Sequence, residues 1–338
     1  MNPPRRKRWG PIVLGLALFT GVVARLLIGR DPTTGDWIVG FPEADIVALR
    51  FGAVKSGAAA GAALGLSGLL LQALLRNPLA SPFILGLSAG AGLGATLAAW
   101  SPLAVAGAAT AFFGPDALLP GTIGAVSVLL LVYLLGRRGG LLDPLTLVLA
   151  GTVVASMCGA LTLLLQSMMP PTSRGELWSW FMGQVPELPR AVPWWNTVAI
   201  LAIVLFAASV KARALDVASA GDDEAESLGV AVGPLRLGLF IGAGALAATS
   251  VALCGPIAFV GFMAPHLARA LLGGLHAALV PASAVAGAAI LIWSDALRQG
   301  IDFGSGRLPI GVLTALFGGP VFLLVLRSTR VRRGDWAC

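Results

Sequence analysis

Ten apolar segments follow one another along this chain of 338 residues. A helix needs roughly 20 predominantly apolar residues to cross the hydrocarbon core of a bilayer, and most of these segments approach that length. They occupy residues 10–29, 54–75, 82–100, 118–136, 145–169, 192–210, 235–253, 257–272, 279–297 and 308–326. Gly255-Pro256 separates the seventh segment from the eighth, and Pro281 interrupts the ninth. The sequence predicts an all-α, polytopic integral membrane protein with about ten transmembrane helices, forming one domain over residues 1–338.

The composition excludes a soluble globular chain. Hydrophobic residues make up 57% and charged residues 12% of the sequence, whereas a soluble domain carries about 25% charged residues. The net charge of +7 is compatible with nucleic acid as a partner. However, the basic residues fall in short clusters between apolar segments, as they do in membrane proteins that follow the positive-inside rule. We therefore expect membrane lipid, and no nucleic acid, around this chain.

The basic clusters also predict an orientation. Arg and Lys are concentrated in residues 1–9 and 327–338, and an even number of helices places both ends on one side. The positive-inside rule makes that side cytoplasmic. We predict a basic cytoplasmic N-terminal tail at 1–9, a cytoplasmic loop at 211–233 and a cytoplasmic C-terminal tail at 327–338. The first segment resembles a signal peptide, but its spanning length and lack of a small-residue cleavage site favour an uncleaved helix in the inner (plasma) membrane.

Motifs for catalysis, metal binding and nucleotide binding are absent from the sequence or misplaced. The three cysteines are far apart, and the two histidines do not form an HExxH pattern. The sequence contains no GxxxxGK[ST] phosphate-binding motif. Two GxGxxA stretches, at 90–95 and 242–247, lie inside apolar segments, where no strand precedes them and no helix end is open to a pyrophosphate. We predict no catalytic residue, no metal site and no cofactor bound by this chain.

Two glycine ladders predict close helix packing. Gly57, Gly61 and Gly65 form a double GxxxG in the second segment, and a similar ladder, 86–90–94, lies in the third. Small residues every four positions let helix backbones approach closely within a membrane. Chance spacing among 44 glycines is the alternative.

Four stretches carry a specific family resemblance. They are residues 72–82 (QALLRNPLASP, followed by LGLSAGA), 255–269 (GPIAFVGFMAPHLAR), 293–298 (WSDALR) and 308–320 (LPIGVLTALFGGP). Together they resemble the ABC-importer permeases that take up vitamin B12, iron-siderophores and haem. The resemblance extends over about residues 50–327, which is nearly the whole chain.

This resemblance implies a non-catalytic permease subunit that works as a homodimer, with substrate passing between the two copies. The implied partners are two cytoplasmic ATP-binding subunits, which hold ATP and magnesium, and an extracytoplasmic substrate-binding protein. The implied substrate is a bulky metal chelate, and haem, cobalamin and a siderophore remain open. An ion-coupled secondary transporter is the alternative, but its coupling carboxylates would have to lie within the membrane, whereas the candidates here lie near segment ends. An intramembrane enzyme would need a catalytic constellation that is not visible in the sequence.

An acidic cluster lies in the predicted cytoplasmic loop 211–233, against the basic bias of that side. The stretch GDDEAESLG is typical of a short helix with carboxylates at its N-terminus and a glycine at its C-terminus. The resemblance implies that this loop docks on the ATP-binding subunit. The residues assigned to coupling are Asp222, Asp223, Glu224, Ala225, Leu228 and Gly229. A solvated charged loop is the alternative.

The turn between the second and third segments contains Asn77-Pro78-Leu79. The resemblance implies that Asn77 and Leu79 form part of a cytoplasmic gate. Leu145 and Thr146, at the start of the fifth segment, are the second gate candidates. Plain turn chemistry is the alternative for the first pair, because Asn and Pro favour turns wherever they occur.

Three basic residues are candidates for docking the binding protein. The resemblance assigns this role to Arg50 and to Arg298, while Ala53 stands where the family usually has a second arginine. Lys55, two residues further along, is the alternative base for that position, and the sequence leaves the substitution open. Arg298 and Asp295 are three residues apart on one helix, so a structural ion pair between them is also expected.

Overall fold

The computed structural model describes residues 9–30, 37–41, 43–100, 118–138, 141–188, 191–301 and 308–334. The predicted tail 1–9 lies outside this part of the chain except for its last residue. The helices are α1 (Gly10–Leu27), α2 (Ala44–Leu74), α3 (Leu87–Trp100), α4 (Leu118–Leu135), α5 (Pro144–Ser167), α6 (Pro171–Phe181), α7 (Ala191–Val210), α8 (Ala212–Ala218), α9 (Asp222–Ser227), α10 (Val232–Cys254), α11 (Val260–Leu272), α12 (His276–Gly300) and α13 (Ile310–Gly334). A 3₁₀ helix, Pro82–Leu85, precedes α3.

The ten predicted apolar segments are all helical. Within the described residues, six helices are long and apolar enough to cross a membrane, namely α1, α2, α5, α7, α10 and α12. The other four segments correspond to shorter apolar helices within α3, α4, α11 and α13. The all-α, multi-pass fold class is therefore confirmed, with one addition. Two short antiparallel hairpins, β1–β2 (Ile28–Arg30 with Trp37–Val39) and β3–β4 (Arg137–Arg138 with Leu141–Leu142), connect helices.

Helix α2 lies at the centre of the fold. It has 31 residues and begins ten residues before the predicted segment. In its most apolar stretch of 18 residues, 89% of the residues are buried, because α10, α11 and α12 pack around it. Much of the helix consists of Ala, Gly and Leu. Such side chains are small or apolar, so neighbouring helices can approach α2 on several sides without burying unpaired polar groups.

The glycine ladder of α2 allows the predicted close packing, and the helix that packs against it is α12. A Cβ atom on Gly61 would lie 2.4 Å from the carbonyl oxygen of Gly287, and one on Gly65 would lie 2.2 Å from that of Ser283. Gly57, by contrast, would make only an ordinary contact with the side chain of Ile292. Two of the three glycines therefore maintain a backbone approach that a larger residue would prevent.

The second ladder is also a packing face in part. Cβ atoms on Gly90 and Gly94 would lie 2.6 and 2.2 Å from carbonyl oxygens of α4. Gly86 instead ends the 3₁₀ helix with a positive φ of 76°, a conformation that favours glycine. The GxGxxA stretches at 90–95 and 242–247 lie inside α3 and α10, so neither forms a nucleotide-binding loop.

We expect Gly68→Ala to destabilise the protein strongly. The added Cβ would lie 1.6 Å from the carbonyl oxygen of Gly261, so α2 and α11 would have to separate. Overpacking of this kind costs about 1–3 kcal/mol or more. The matched control is Gly238→Ala in α10, where nothing lies within 4 Å of the added atom. Thermal unfolding in detergent should show a lower midpoint for Gly68→Ala alone; equal midpoints would contradict this packing.

Pro281 does not interrupt α12, contrary to the sequence-based expectation. The helix is continuous from His276 to Gly300 with Pro281 inside its second turn. A proline there removes only one helical hydrogen bond, and transmembrane helices tolerate this when neighbouring helices enclose the backbone. The predicted break at Gly255-Pro256 is real, because α10 ends at Cys254 and α11 begins at Val260.

Candidate functional site

The acidic loop forms the predicted short helix. Helix α9 carries three carboxylates in its first turn, where the helix dipole favours negative charge. Its C-terminus is closed by Gly229 at φ +80°. The Gly229 N–H donates to the Glu226 carbonyl, and the Val230 N–H donates to the Ala225 carbonyl, both at 2.9 Å. This pair of hydrogen bonds is the Schellman motif, which explains why glycine follows the helix.

The coupling segment, residues 221–230, divides into an attached side and an exposed side. Ala225 is fully buried and anchors α9 on the protein. Leu228 is 70% exposed, and Asp223 and Glu224 are also exposed. An apolar side chain exposed beside carboxylates offers a contact surface for another protein. The sequence-predicted coupling residues are thus brought together, although their contact with an ATPase remains a prediction.

Asp222 connects the coupling segment to two other elements. Its Oδ1 accepts a hydrogen bond from Nη2 of Arg76 at 2.5 Å, and its Oδ2 accepts one from Nη2 of Arg236 at 2.6 Å. Nε of Arg76 also donates to the Ala218 carbonyl at 3.0 Å. Nη1 of Arg236 donates to the Leu142 carbonyl at 2.9 Å. Sequence reasoning assigned Asp222 to the segment but did not find these partners.

The first gate candidate is a tight, internally bonded turn. The Asn77 Oδ1 accepts a hydrogen bond from the Leu79 N–H at 3.0 Å, and the Asn77 carbonyl accepts one from Ala80 N–H at 3.0 Å. Arg76 has φ +46°, a conformation that a non-glycine residue rarely adopts. Asn77 is exposed and Leu79 is half-buried. Turn chemistry is therefore present, and the gating role remains a prediction.

The second gate candidate begins α5. Asp143 caps this helix, because its Oδ2 accepts hydrogen bonds from the Thr146 N–H at 2.8 Å and the Thr146 hydroxyl at 2.5 Å. Leu145 is 68% exposed. The 3₁₀ helix that follows the Asn77 turn packs against α5 at Gly151. The two candidate gate regions thus lie on elements that contact one another.

A buried ion network lies at the opposite end of the bundle. Asp295 is 1% exposed. Its Oδ1 accepts from Nε of Arg298 at 2.5 Å, and its Oδ2 accepts from Nε of Arg25. Arg25 also lies 3.4 Å from a carboxylate oxygen of Glu187. The expected pair of Asp295 with Arg298 is confirmed. Arg25 was missed, although a lone arginine within an apolar segment is itself a sign of a buried carboxylate partner.

The three candidate docking residues differ in accessibility. Arg50 and Arg298 are each 6% exposed, and Nη1 of Arg50 donates to the Leu26 carbonyl at 2.6 Å. Lys55 is exposed, with its ammonium 5.4 Å from the centre of the Phe51 ring. Ala53, which stands where the family usually has an arginine, is 1% exposed. The docking role of all three bases remains a prediction.

These features define a class of protein. Within the described residues, ten apolar helices form a bundle with α2 at its centre, and the short helix α9 lies beside the Asn77 turn at one end. This is the architecture of a polytopic membrane permease. The chain belongs to the FecCD transport family, whose model matches residues 17–328. It is accordingly a multi-pass transport component of the inner membrane.

Three transport permeases are similar in sequence to this chain along most of their length. The chain is 33% identical to the cobalamin import system permease protein of Halobacterium salinarum, over 89% of this chain and 76% of the relative. It is 33% identical to the ferric enterobactin transport system permease protein of Escherichia coli K12, with coverages of 96% and 92%. It is 32% identical to the hemin transport system permease protein of Yersinia pestis, with coverages of 81% and 80%.

A solved structure supports the same fold. An inward-facing metal-chelate type ABC transporter superposes on this chain with a TM-score of 0.78 and 27% sequence identity. The superposition covers 94% of this chain and 97% of the other. The order and packing of the helices are therefore those of an ABC permease.

Proposed function

We propose that this chain is the permease subunit of an ATP-driven importer for a bulky metal chelate, which passes between two copies of the chain. The observation that carries the proposal is the coupling segment: a closed short helix with exposed Leu228 beside the turn that contains Asn77. A membrane protein that is not driven by a separate energy-supplying subunit has no evident use for such a docking surface. The names of the relatives, which transport cobalamin, ferric enterobactin and hemin, favour the chelate class.

The energy comes from partner subunits. The sequence has no phosphate-binding loop, so Mg-ATP is held by two cytoplasmic ATP-binding subunits, and this chain binds no cofactor or structural metal itself. A substrate-binding protein outside the membrane delivers the chelate. Lys55, the exposed base among the three candidates, is its first contact, and Arg50 and Arg298 support the same rim from buried positions. Asn77, Leu79, Leu145 and Thr146 form the cytoplasmic gate.

An ion-coupled secondary transporter is less well supported. Such a mechanism needs a carboxylate within the membrane that can exchange a proton or a cation. Asp295 is the buried acid that would serve, and it is held between Arg25 and Arg298. Both carboxylate oxygens are thereby occupied by guanidinium groups, which suits a structural role.

The energy source can be tested in cells that express the importer and its partner subunits. Substituting the phosphate-binding lysine of the ATP-binding subunit is expected to abolish uptake of the labelled chelate. A protonophore should leave uptake intact while the cellular ATP level is maintained. The opposite pattern, with uptake lost to the protonophore and insensitive to the lysine substitution, would contradict the proposal.

A further inference from the structure

We propose that Asp222 is a positioning residue that joins the coupling segment to both gate regions, so that displacement of α9 moves the Asn77 turn and the start of α5 together. This inference rests on the proposed function. It follows from the two arms of the Asp222 carboxylate, each of which leads to an element that carries gate candidates.

The first arm reaches the Asn77 turn directly. Arg76 precedes Asn77 in the chain, and its guanidinium bonds Asp222 at 2.5 Å and the Ala218 carbonyl at 3.0 Å. The side chain therefore joins the turn to the coupling segment and to the end of α8. Because Arg76 has a positive φ, its backbone already lies in a sparsely populated conformation. A displacement of its guanidinium therefore acts on a residue of the turn whose backbone can change to a more common conformation.

The second arm reaches α5 through Arg236 and Leu142. Arg236 bonds the other oxygen of Asp222 at 2.6 Å and the Leu142 carbonyl at 2.9 Å. Leu142 ends strand β4, and the next residue, Asp143, caps α5 through Thr146. The route from the coupling segment to the second gate region is thus Asp222, Arg236, Leu142 and the cap of α5.

Open space lies beside the C-terminal side of the coupling segment. A largely apolar cavity of about 650 Å³ adjoins Gly229 and Val230 and extends between α7 and α10. Tight packing there would hold the segment by many contacts, but a cavity does not transmit displacement. Beside the chain's own continuity with α8 and α10, the buried Ala225 methyl group and the two Asp222 ion pairs attach the segment to the rest of the protein.

The energetic cost of losing the ion pairs is expected to be small, which makes the inference testable. The side chains of Arg76 and Asp222 are 33% and 36% exposed, and pairs at that exposure contribute little to stability. Arg236 is less exposed, at 12%, but it also donates to the Leu142 carbonyl, and an asparagine at position 222 retains one oxygen that can accept from it. Asp222→Asn should therefore fold and assemble normally. A purely structural role would instead show itself as lower thermal stability or poorer assembly.

The test uses the permease reconstituted in proteoliposomes with its ATP-binding subunits and binding protein. Asp222→Asn is expected to keep ATP hydrolysis while chelate uptake per ATP falls about tenfold, within the range of ordinary coupling energies. Asp222→Glu should restore part of the uptake. Arg76→Gln breaks only the first arm and should lose part of the uptake per ATP. The double variant should be no worse than Asp222→Asn, because that substitution already removes the pair with Arg76. Arg213→Gln, an exposed arginine of α8, is the matched control.

A second readout follows the gate itself. Thiol labelling of Leu79→Cys should change when ATP is trapped on the wild-type complex, and this change should disappear with Asp222→Asn. Uptake per ATP equal to that of Arg213→Gln, or additive losses in the double variant, would overturn the role of Asp222. Such results would leave the proposed function intact, since that function fails only if the wild-type complex shows no ATP-dependent uptake.

Discussion

Replacing Asp295 by alanine is expected to prevent most of the protein from accumulating in folded form. The substitution would leave the guanidinium groups of Arg25 and Arg298 in a buried site without the carboxylate that both contact. Removing one partner of a buried ion pair costs about 3–5 kcal/mol, and here two positive charges lose the same partner. Size-exclusion chromatography and thermal unfolding in detergent would measure the loss.

Two further variants establish that charge pairing causes this effect. Asp45→Ala removes an exposed acid from the first turn of α2 and should leave the melting temperature nearly unchanged. Replacing Arg25, Asp295 and Arg298 together by apolar residues of similar volume should recover much of the lost stability, because no buried charge then remains unpaired. Equal stability of Asp295→Ala and Asp45→Ala would contradict the buried network.

Replacing Leu228 by aspartate is expected to uncouple ATP hydrolysis from transport. The side chain is 70% exposed, so its loss should not unfold the permease. If Leu228 fills an apolar contact on the ATP-binding subunit, a charge at that contact should lower chelate uptake about tenfold or more, as expected for an interface anchor. Uptake and ATP hydrolysis would be measured on the same reconstituted complex.

A matched leucine is available as a control. Leu275 is 66% exposed and immediately precedes α12, so Leu275→Asp introduces the same change outside the coupling segment. Gly229→Ala provides an independent test, because φ +80° at this position costs an alanine roughly 1–2 kcal/mol and shifts the end of α9. Normal uptake by both Leu228→Asp and Gly229→Ala would argue against docking through this segment.

The helices were predictable because the membrane imposes a strong local rule. A helix must satisfy its own backbone hydrogen bonds in lipid, so a spanning apolar run is almost always a helix. The same locality made α9 predictable from its carboxylates and Gly229. The first ten residues of α2 were missed because they contain Asp45 and Arg50 and are less apolar than the rest. Pro281 was overestimated as a helix breaker because α12 is enclosed by its neighbours.

The contacts that give the site its connectivity were beyond sequence reasoning. Arg76 and Asp222 are 146 positions apart, and Arg25 and Asp295 are 270 positions apart. No local pattern specifies such pairs, which depend on how the helices are arranged around α2. Accessibility was equally non-local: the resemblance assigned Arg50 and Arg298 to a docking rim, and the fold buries both.

The most direct test of ATP-driven transport through this chain is uptake into sealed proteoliposomes. The vesicles would hold the permease and its ATP-binding subunits, with the binding protein and a metal chelate such as cobalamin, haem or a ferric siderophore outside. Enclosed Mg-ATP should drive accumulation of the cognate chelate in the absence of any ion gradient, and a non-hydrolysable ATP analogue should not. Accumulation driven by a proton or sodium gradient without ATP would contradict the proposed mechanism.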